Sequence, residues 1–332
     1  MNRRDLLAGS ISAGLLAGGY HRWPGVAKAQ QQNLPAIGLL DAAWGHVIGR
    51  IGAGLRENGF EGRAYNVEYG HWIGTRPDYR ADQMAKYAAD LVKRKVDLIF
   101  AFSTRTALAA KTVAGSTPII FLADEPVAAG LVDSLDRPGG NLTGAACPVS
   151  GLIAKRIEII CELIPTTNSI VLVSDPANPP AHDIEIREAQ ATANARGLQL
   201  SIVAWTGEHD FEIELAALPR DRKAALVFGN GLPFYAHGVQ LDYLARRYGF
   251  PAILVCRDAV EQGALVSFGT RFEDGGHLMG VYAARILKGT KPADLPVRQI
   301  TRTELVINRW VAKSRRIYIC PTLLARADEV IE

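Results

Sequence analysis

What constrains this chain most is an alternation. Short, continuously apolar runs at 96–102, 117–123, 169–173 and 224–228 are separated by stretches whose apolar residues recur at helical spacing. Ile48, Ile51 and Leu55 mark such a stretch at 47–58, and Met84, Tyr87, Leu91 and Val92 mark another at 79–95. A strand that is apolar along its whole length is buried on both faces, and a helix between strands brings the next one in parallel. The expected fold class is therefore α/β, with doubly wound, Rossmann-like parallel sheets.

The same reading gives further strands at 36–40, 65–69, 198–205, 252–255 and 264–268. Helices are expected at 106–113, 153–164, 182–196, 234–248 and 278–287, with Gly59 and Gly289 as stops and Pro165 ending the one at 153–164. Two successive series of strand and helix in 332 residues suit two lobes. The Gly- and Pro-rich segments 137–144 and 288–296 are candidate joints. Open sheets of this kind take ligands beyond the carboxyl ends of their strands, so two facing lobes would enclose one cleft.

Residues 1–29 read differently. Arg3 and Arg4 precede a weakly apolar stretch rich in Ala and Gly, and Ala27-Lys28-Ala29 offers small residues at a cleavage site. That is the plan of an export signal, and the paired arginines resemble a twin-arginine leader. Cleavage is expected after Ala29, leaving a protein of the bacterial periplasm. The whole formal charge of +3 lies in this leader, where Arg3, Arg4, Arg22 and Lys28 outnumber Asp5. A neutral body without a basic stripe argues against nucleic acid as partner.

Catalytic and cofactor motifs are absent. The seven histidines are scattered, and Cys147, Cys161, Cys256 and Cys320 form no CxxC pair, so no metal is expected and the thiols read as small buried hydrophobes. There is no GxSxG elbow, no GxGxxG and no phosphate-binding loop, so neither an enzyme nor a nucleotide cofactor is expected. Several expected strand ends do carry polar or aromatic residues on one topological edge: Trp44, Ser103 with Thr104 and Thr106, Asp124, Asp175, Asn230, and Arg257 with Asp258. Ser103 begins a helix, where free N–H groups attract anions, although a plain structural cap fits equally. The set suits a zwitterion. Backbone N–H groups or Arg257 would take a carboxylate, Asp124, Asp175 or Asp258 an ammonium, and Trp44 an aromatic or apolar tail.

Particular stretches add a resemblance. Thr117-Pro118-Ile119-Ile120-Phe121, Arg137-Pro138-Gly139-Gly140-Asn141-Leu142-Thr143-Gly144, Asp175-Pro176-Ala177-Asn178-Pro179 and Ile286-Leu287-Lys288-Gly289-Thr290-Lys291-Pro292-Ala293-Asp294-Leu295-Pro296-Val297, with 125–132, 304–308 and the tail 323–331, resemble the substrate-binding proteins of ABC transporters of the tryptophan/tyrosine type. The resemblance spans nearly the whole mature chain. It implies the type I periplasmic binding architecture, two lobes joined by three crossovers, with 34–146 plus 272–297 in the first and 147–271 plus 298–332 in the second. It also implies that a ligand carboxylate meets the helix start at Ser103, Thr104 and Thr106. Glu125 stands where the family often has Asp, Asp175-Pro176 where it often has Asn-Pro, and Trp44 where small hydroxyl residues are common; Asn230 has glycines on both sides. These departures change the pocket's charge and shape.

The expected function is non-catalytic capture of a small carboxylate-bearing solute, an amino acid or aromatic acid, by hinge closure. Delivery would be to an inner-membrane permease with its ATPase, by a protein acting as a monomer. The alternatives are an exported ligand sensor for a membrane receptor and, less favoured, an exported α/β enzyme.

Overall fold

The computed structural model describes residues 34–40, 45–60, 66–71, 81–218 and 223–332. In chain order the first elements are β1 (Ala36–Leu40), α1 (Gly45–Glu57), β2 (Asn66–His71), α2 (Ala81–Lys93), β3 (Leu98–Ala101), α3 (Thr104–Val113), β4 (Ile119–Asp124) and β5 (Leu142–Cys147). There follow α4 (Leu152–Leu163), β6 (Ser169–Ser174), α5 (Pro179–Arg196), β7 (Gln199–Ala204), α6 (Glu208–Ala217), β8 (Ala224–Phe228), α7 (Leu232–Ala236) and α8 (Gly238–Arg247). The last are β9 (Ala252–Leu254), α9 (Arg257–Glu261), β10 (Val266–Thr270), α10 (Phe272–Leu287), β11 (Arg298–Gln299), β12 (Thr303–Asn308), α11 (Arg309–Ser314), α12 (Pro321–Leu324) and β13 (Glu329–Ile331).

Among the described residues the strands gather into two sheets, ordered β11-β5-β4-β3-β1-β2 and β13-β12-β10-β9-β8-β6-β7. Every residue of β3, β4, β5 and β8 is buried, as expected of strands covered on both faces. In the first sheet β1 lies between β2 and β3, so the chain winds outward in both directions from it. In the second, β6 holds the same place between β7 and β8. These are the two topological switch points, and the loops after β3, β6 and β8 open there.

The sheets are not wholly parallel as expected. β12 runs antiparallel to β10, because the chain returns from the first sheet to the second through a link of three residues, with no crossover helix to reverse it. β11 pairs with β5 in the first sheet, so the first lobe's strands extend past the expected limit at 297. β5 itself falls in the segment expected to be a joint; its Leu-Thr-Gly-Ala-Ala-Cys sequence lacks the β-branched run that marks its neighbours. The single helix expected at 234–248 is two, α7 and α8, broken at His237.

Two glycine-notched helices seal the first lobe. A Cβ on Gly280 of α10 would stand 2.1 Å from the Ile51 carbonyl of α1, and one on Gly54 would stand 2.4 Å from the His277 carbonyl. Only hydrogen fits at either contact. The cysteines are free thiols, Cys147 being buried. No helix among the described residues is long and apolar enough to cross a membrane.

Candidate functional site

Ser103, Thr104, Arg105 and Asp124 from the first sheet face Asp175, Asn178 and Tyr235 from the second around a cavity of about 20 Å³. That is room for about one water. Phe102, Leu122 and Phe272 supply apolar wall, and the Cys147 thiol, held protonated by burial, completes it.

The helix start is built as a capping box. The Thr106 N–H donates to Ser103 Oγ at 3.1 Å, and the Ser103 N–H donates to Thr106 Oγ1 at 3.0 Å. Thr106 is wholly buried in that role and does not line the cavity. Thr104 faces β4: its hydroxyl donates to the Asp124 carbonyl at 2.9 Å and accepts from the Asp124 N–H at 3.0 Å. The hydroxyl proton of Thr104 therefore fixes α3 against the strand end and is spent there.

Polar side chains lining the cavity reach across the cleft. Arg105 Nη2 donates to Asp175 Oδ2 at 2.7 Å, with the two side chains 14% and 3% exposed. Asn178 Nδ2 donates to Asp124 Oδ2 at 3.1 Å, while Asn178 Oδ1 is buried without a hydrogen-bond partner. Burial pushes the Asp124 carboxyl up to about 7, more than Asn178 draws it back down. Burial raises Asp175 too, with the Arg105 guanidinium opposing. Asp175 Oδ1 also accepts from the Ala177 N–H at 3.0 Å, which shapes the turn into α5.

Asn230 stands one layer behind the cavity. Its Oδ1 accepts from Arg156 Nη2 at 2.9 Å and from the Tyr235 hydroxyl at 3.2 Å; its Nδ2 donates to Glu185 Oε1 at 2.8 Å. Arg156 is fully buried and donates as well to the carbonyls of Phe228 (2.9 Å) and Phe268 (2.7 Å). Burial pushes Glu185 up to about 7, and the Asn230 N–H and Arg156 oppose the rise. This network holds Tyr235, whose ring meets Phe272 of the first lobe edge-on at 4.8 Å.

Of the residues expected at the site, the structure brings Ser103, Thr104, Asp124 and Asp175 together, and places Thr106 and Asn230 behind them. Trp44 lies outside the described residues. Arg257 and Asp258 are elsewhere. Arg257 donates to Glu261 at 3.0 Å and Glu304 at 3.1 Å and also pairs with Glu329, so three carboxylates claim it; half-buried Asp258 follows it in α9. Arg105 and Tyr235 were missed, and Asn178, which follows the same strand end as Asp175, was not singled out. Arg105 did leave a signal, since a cation in a helix's first turn opposes the dipole and needs a partner elsewhere. Tyr235, inside an apolar helical period, left none.

Residues 45–331 match the family described as ABC transporter substrate binding protein. A tyrosine-binding protein of Clostridioides difficile is 29% identical over 228 residues, 68% of this chain. The chain spans 65% of that relative's length. An ABC domain from Streptococcus pneumoniae in complex with L-Trp superposes with a TM-score of 0.74 at 22% identity, covering 90% of this chain and 99% of that one. A conserved domain protein of Vibrio cholerae superposes with a TM-score of 0.74, also at 22% identity and covering 90% of this chain and 99% of that one. The fold is that of type I periplasmic binding proteins, two α/β lobes with mostly parallel sheets. Both the expected fold and the expected family hold: this chain belongs to the family of ABC transporter substrate-binding proteins.

Proposed function

We propose that the chain captures an α-amino acid or aromatic acid in the cleft between its lobes and delivers it to an inner-membrane permease with its ATPase. The observation that carries this is the set of opposed polar groups at the two switch points. Arg105 and Asp124 come from one sheet and Asp175 and Asn178 from the other, so a solute between them touches both lobes. A ligand favours a closed form by the contacts it makes only there. Closure would turn on the links near 147–152, 270–272 and 299–303, between a lobe of 34–146 plus 272–299 and one of 147–271 plus 300–332. The relative named for tyrosine and the structure bound to L-Trp support this choice of solute. We place the protein in the periplasm as a monomer, its leader removed after Ala29.

Thermal melting of the chain from Gln30 onward, against amino acids, aromatic acids, peptides and sugars, tests the reading. A solute at 100 times its Kd adds about 2.7 kcal/mol. If no amino or aromatic acid raises the melting temperature of protein that mass spectrometry finds free of solute, the reading fails.

A further inference from the structure

Arg105 divides two spaces. On its inner side lies the cavity of about 20 Å³. On its outer side lies an open groove of about 500 Å³ between the lobes, walled by Leu108, Ala128 and Pro180. Thr104, Arg105 and Asn178 line both, so the Arg105–Asp175 pair and the Asn178 side chain form the partition. An amino acid does not fit the inner space while the partition stands.

The chemistry of the inner wall is one-sided. Among the described residues lining it, Arg105 is the one cation, set against the carboxyls of Asp124 and Asp175. Thr104 has given its proton to the Asp124 carbonyl and Thr106 is sealed away, so among the described residues the α3 start offers the Ser103 and Arg105 side chains to an anion. Arg257, expected to do this, is held by three carboxylates elsewhere. A guanidinium offers a carboxylate charge and a planar fork together.

We propose that Arg105 selects carboxylate-bearing solutes by leaving Asp175 for the solute's carboxylate, and that its departure joins the inner cavity to the outer groove. The exchange conserves charge. A zwitterion replaces one ion pair by two, its carboxylate on Arg105 and its ammonium on Asp175, within reach of the unpartnered Asn178 Oδ1. An apolar side chain then extends into the groove. The selection rests on the capture reading above; the partition does not.

The test compares L-tyrosine and L-tryptophan with their amides, which keep the ammonium and lose the carboxylate. Titration calorimetry on the wild type, Arg105→Lys, and the double variant Arg105→Met with Asp175→Asn, which leaves no lone buried charge, gives the affinities. Both solutes lose the Asp175 contact in the double variant, and only the acids also lose the Arg105 contact, so the acids should lose roughly ten- to hundredfold more affinity than the amides, with Arg105→Lys between. Equal losses for acid and amide overturn the selection. If the wild type binds neither, the capture reading fails for these solutes and the selection falls with it. Small-angle scattering on protein stripped by unfolding and refolding judges the partition separately: the double variant should have a larger radius of gyration than the wild type, and equal radii overturn it.

Discussion

Asn178 occupies the N-cap position of α5 but gives its side-chain amide to Asp124 of the opposite lobe, 3.1 Å away, and makes no cap bond to its own helix. An asparagine at that position normally serves the first free N–H groups of the helix. Here Pro179 and Pro180 open the helix, so two of those groups do not exist, and the side chain is released to cross the cleft.

Replacing Asn178 with alanine therefore removes a lobe-to-lobe contact and no helix cap. The expected result is a loss of solute affinity of roughly ten- to hundredfold, from about 1–3 kcal/mol, with the melting temperature of solute-free protein nearly unchanged. Calorimetry and melting on the same samples check this; a large fall in melting temperature without a change in affinity contradicts it.

Burial holds Asp124 and Glu185 up at about 7, above their ordinary values of 3.8 and 4.5. Between those values and 7 the folded chain keeps protons that the unfolded chain has released. For these groups stability is greatest at low pH, falls as pH rises through about 4 to 7, and levels off above, each pKa unit counting roughly 1.4 kcal/mol. The double variant Asp124→Asn with Glu185→Gln should be stabilised relative to wild type at pH 7.5 more than at pH 4.5. Chemical denaturation at both values measures the difference, and a difference independent of pH refutes the assignment.

Gly280→Ala should cost about 1–3 kcal/mol or more, because its Cβ would meet the Ile51 carbonyl at 2.1 Å and the two helices must part. A drop of several degrees in melting temperature is expected. A variant melting with the wild type would mean that α1 and α10 do not pack this closely.

Arg257→Ala should leave solute affinity within about twofold of wild type while lowering stability, since the guanidinium serves Glu261, Glu304 and Glu329 rather than the cleft. Calorimetry decides it: a tenfold loss of affinity with unchanged folding would return Arg257 to the site.

The misplacement of Arg257 shows where the sequence stops being informative. Arg257 follows a strand's carboxyl end just as Asp175 does, and nothing local separates them. What separates them is strand order: β6 lies at the switch point beside β8, whereas β9 lies one strand farther out. Its three carboxylates come from 261, 304 and 329, a pairing that no local spacing announces. The apolar cores of β3, β4, β6 and β8 were legible because burial on both faces leaves an unbroken run. β12 was not, because an antiparallel return depends on which lobe the chain has just left. Ser103, Asp124 and Asp175 were legible as polar residues at strand ends. Arg105 and Asn178 owe their places to a partner across the cleft, and Tyr235 to the Asn230 behind it.

The buried group of Arg156, Glu185 and Asn230 sets the terms for redesigning this substrate-binding protein. Its members satisfy one another and nearby backbone carbonyls, so truncating any one alone strands another in a medium without water, whereas an isosteric change such as Glu185→Gln keeps the hydrogen bonds. Arg105, Asp175 and Asn178 lie outside that network and reach across the cleft, whereas Ser103 and Thr104 hold the start of α3. A campaign to retarget the cleft to a new solute should randomise 105, 175 and 178 and leave Ser103, Thr104 and the triad intact, because variants at the latter would be lost to misfolding before their preference could be scored.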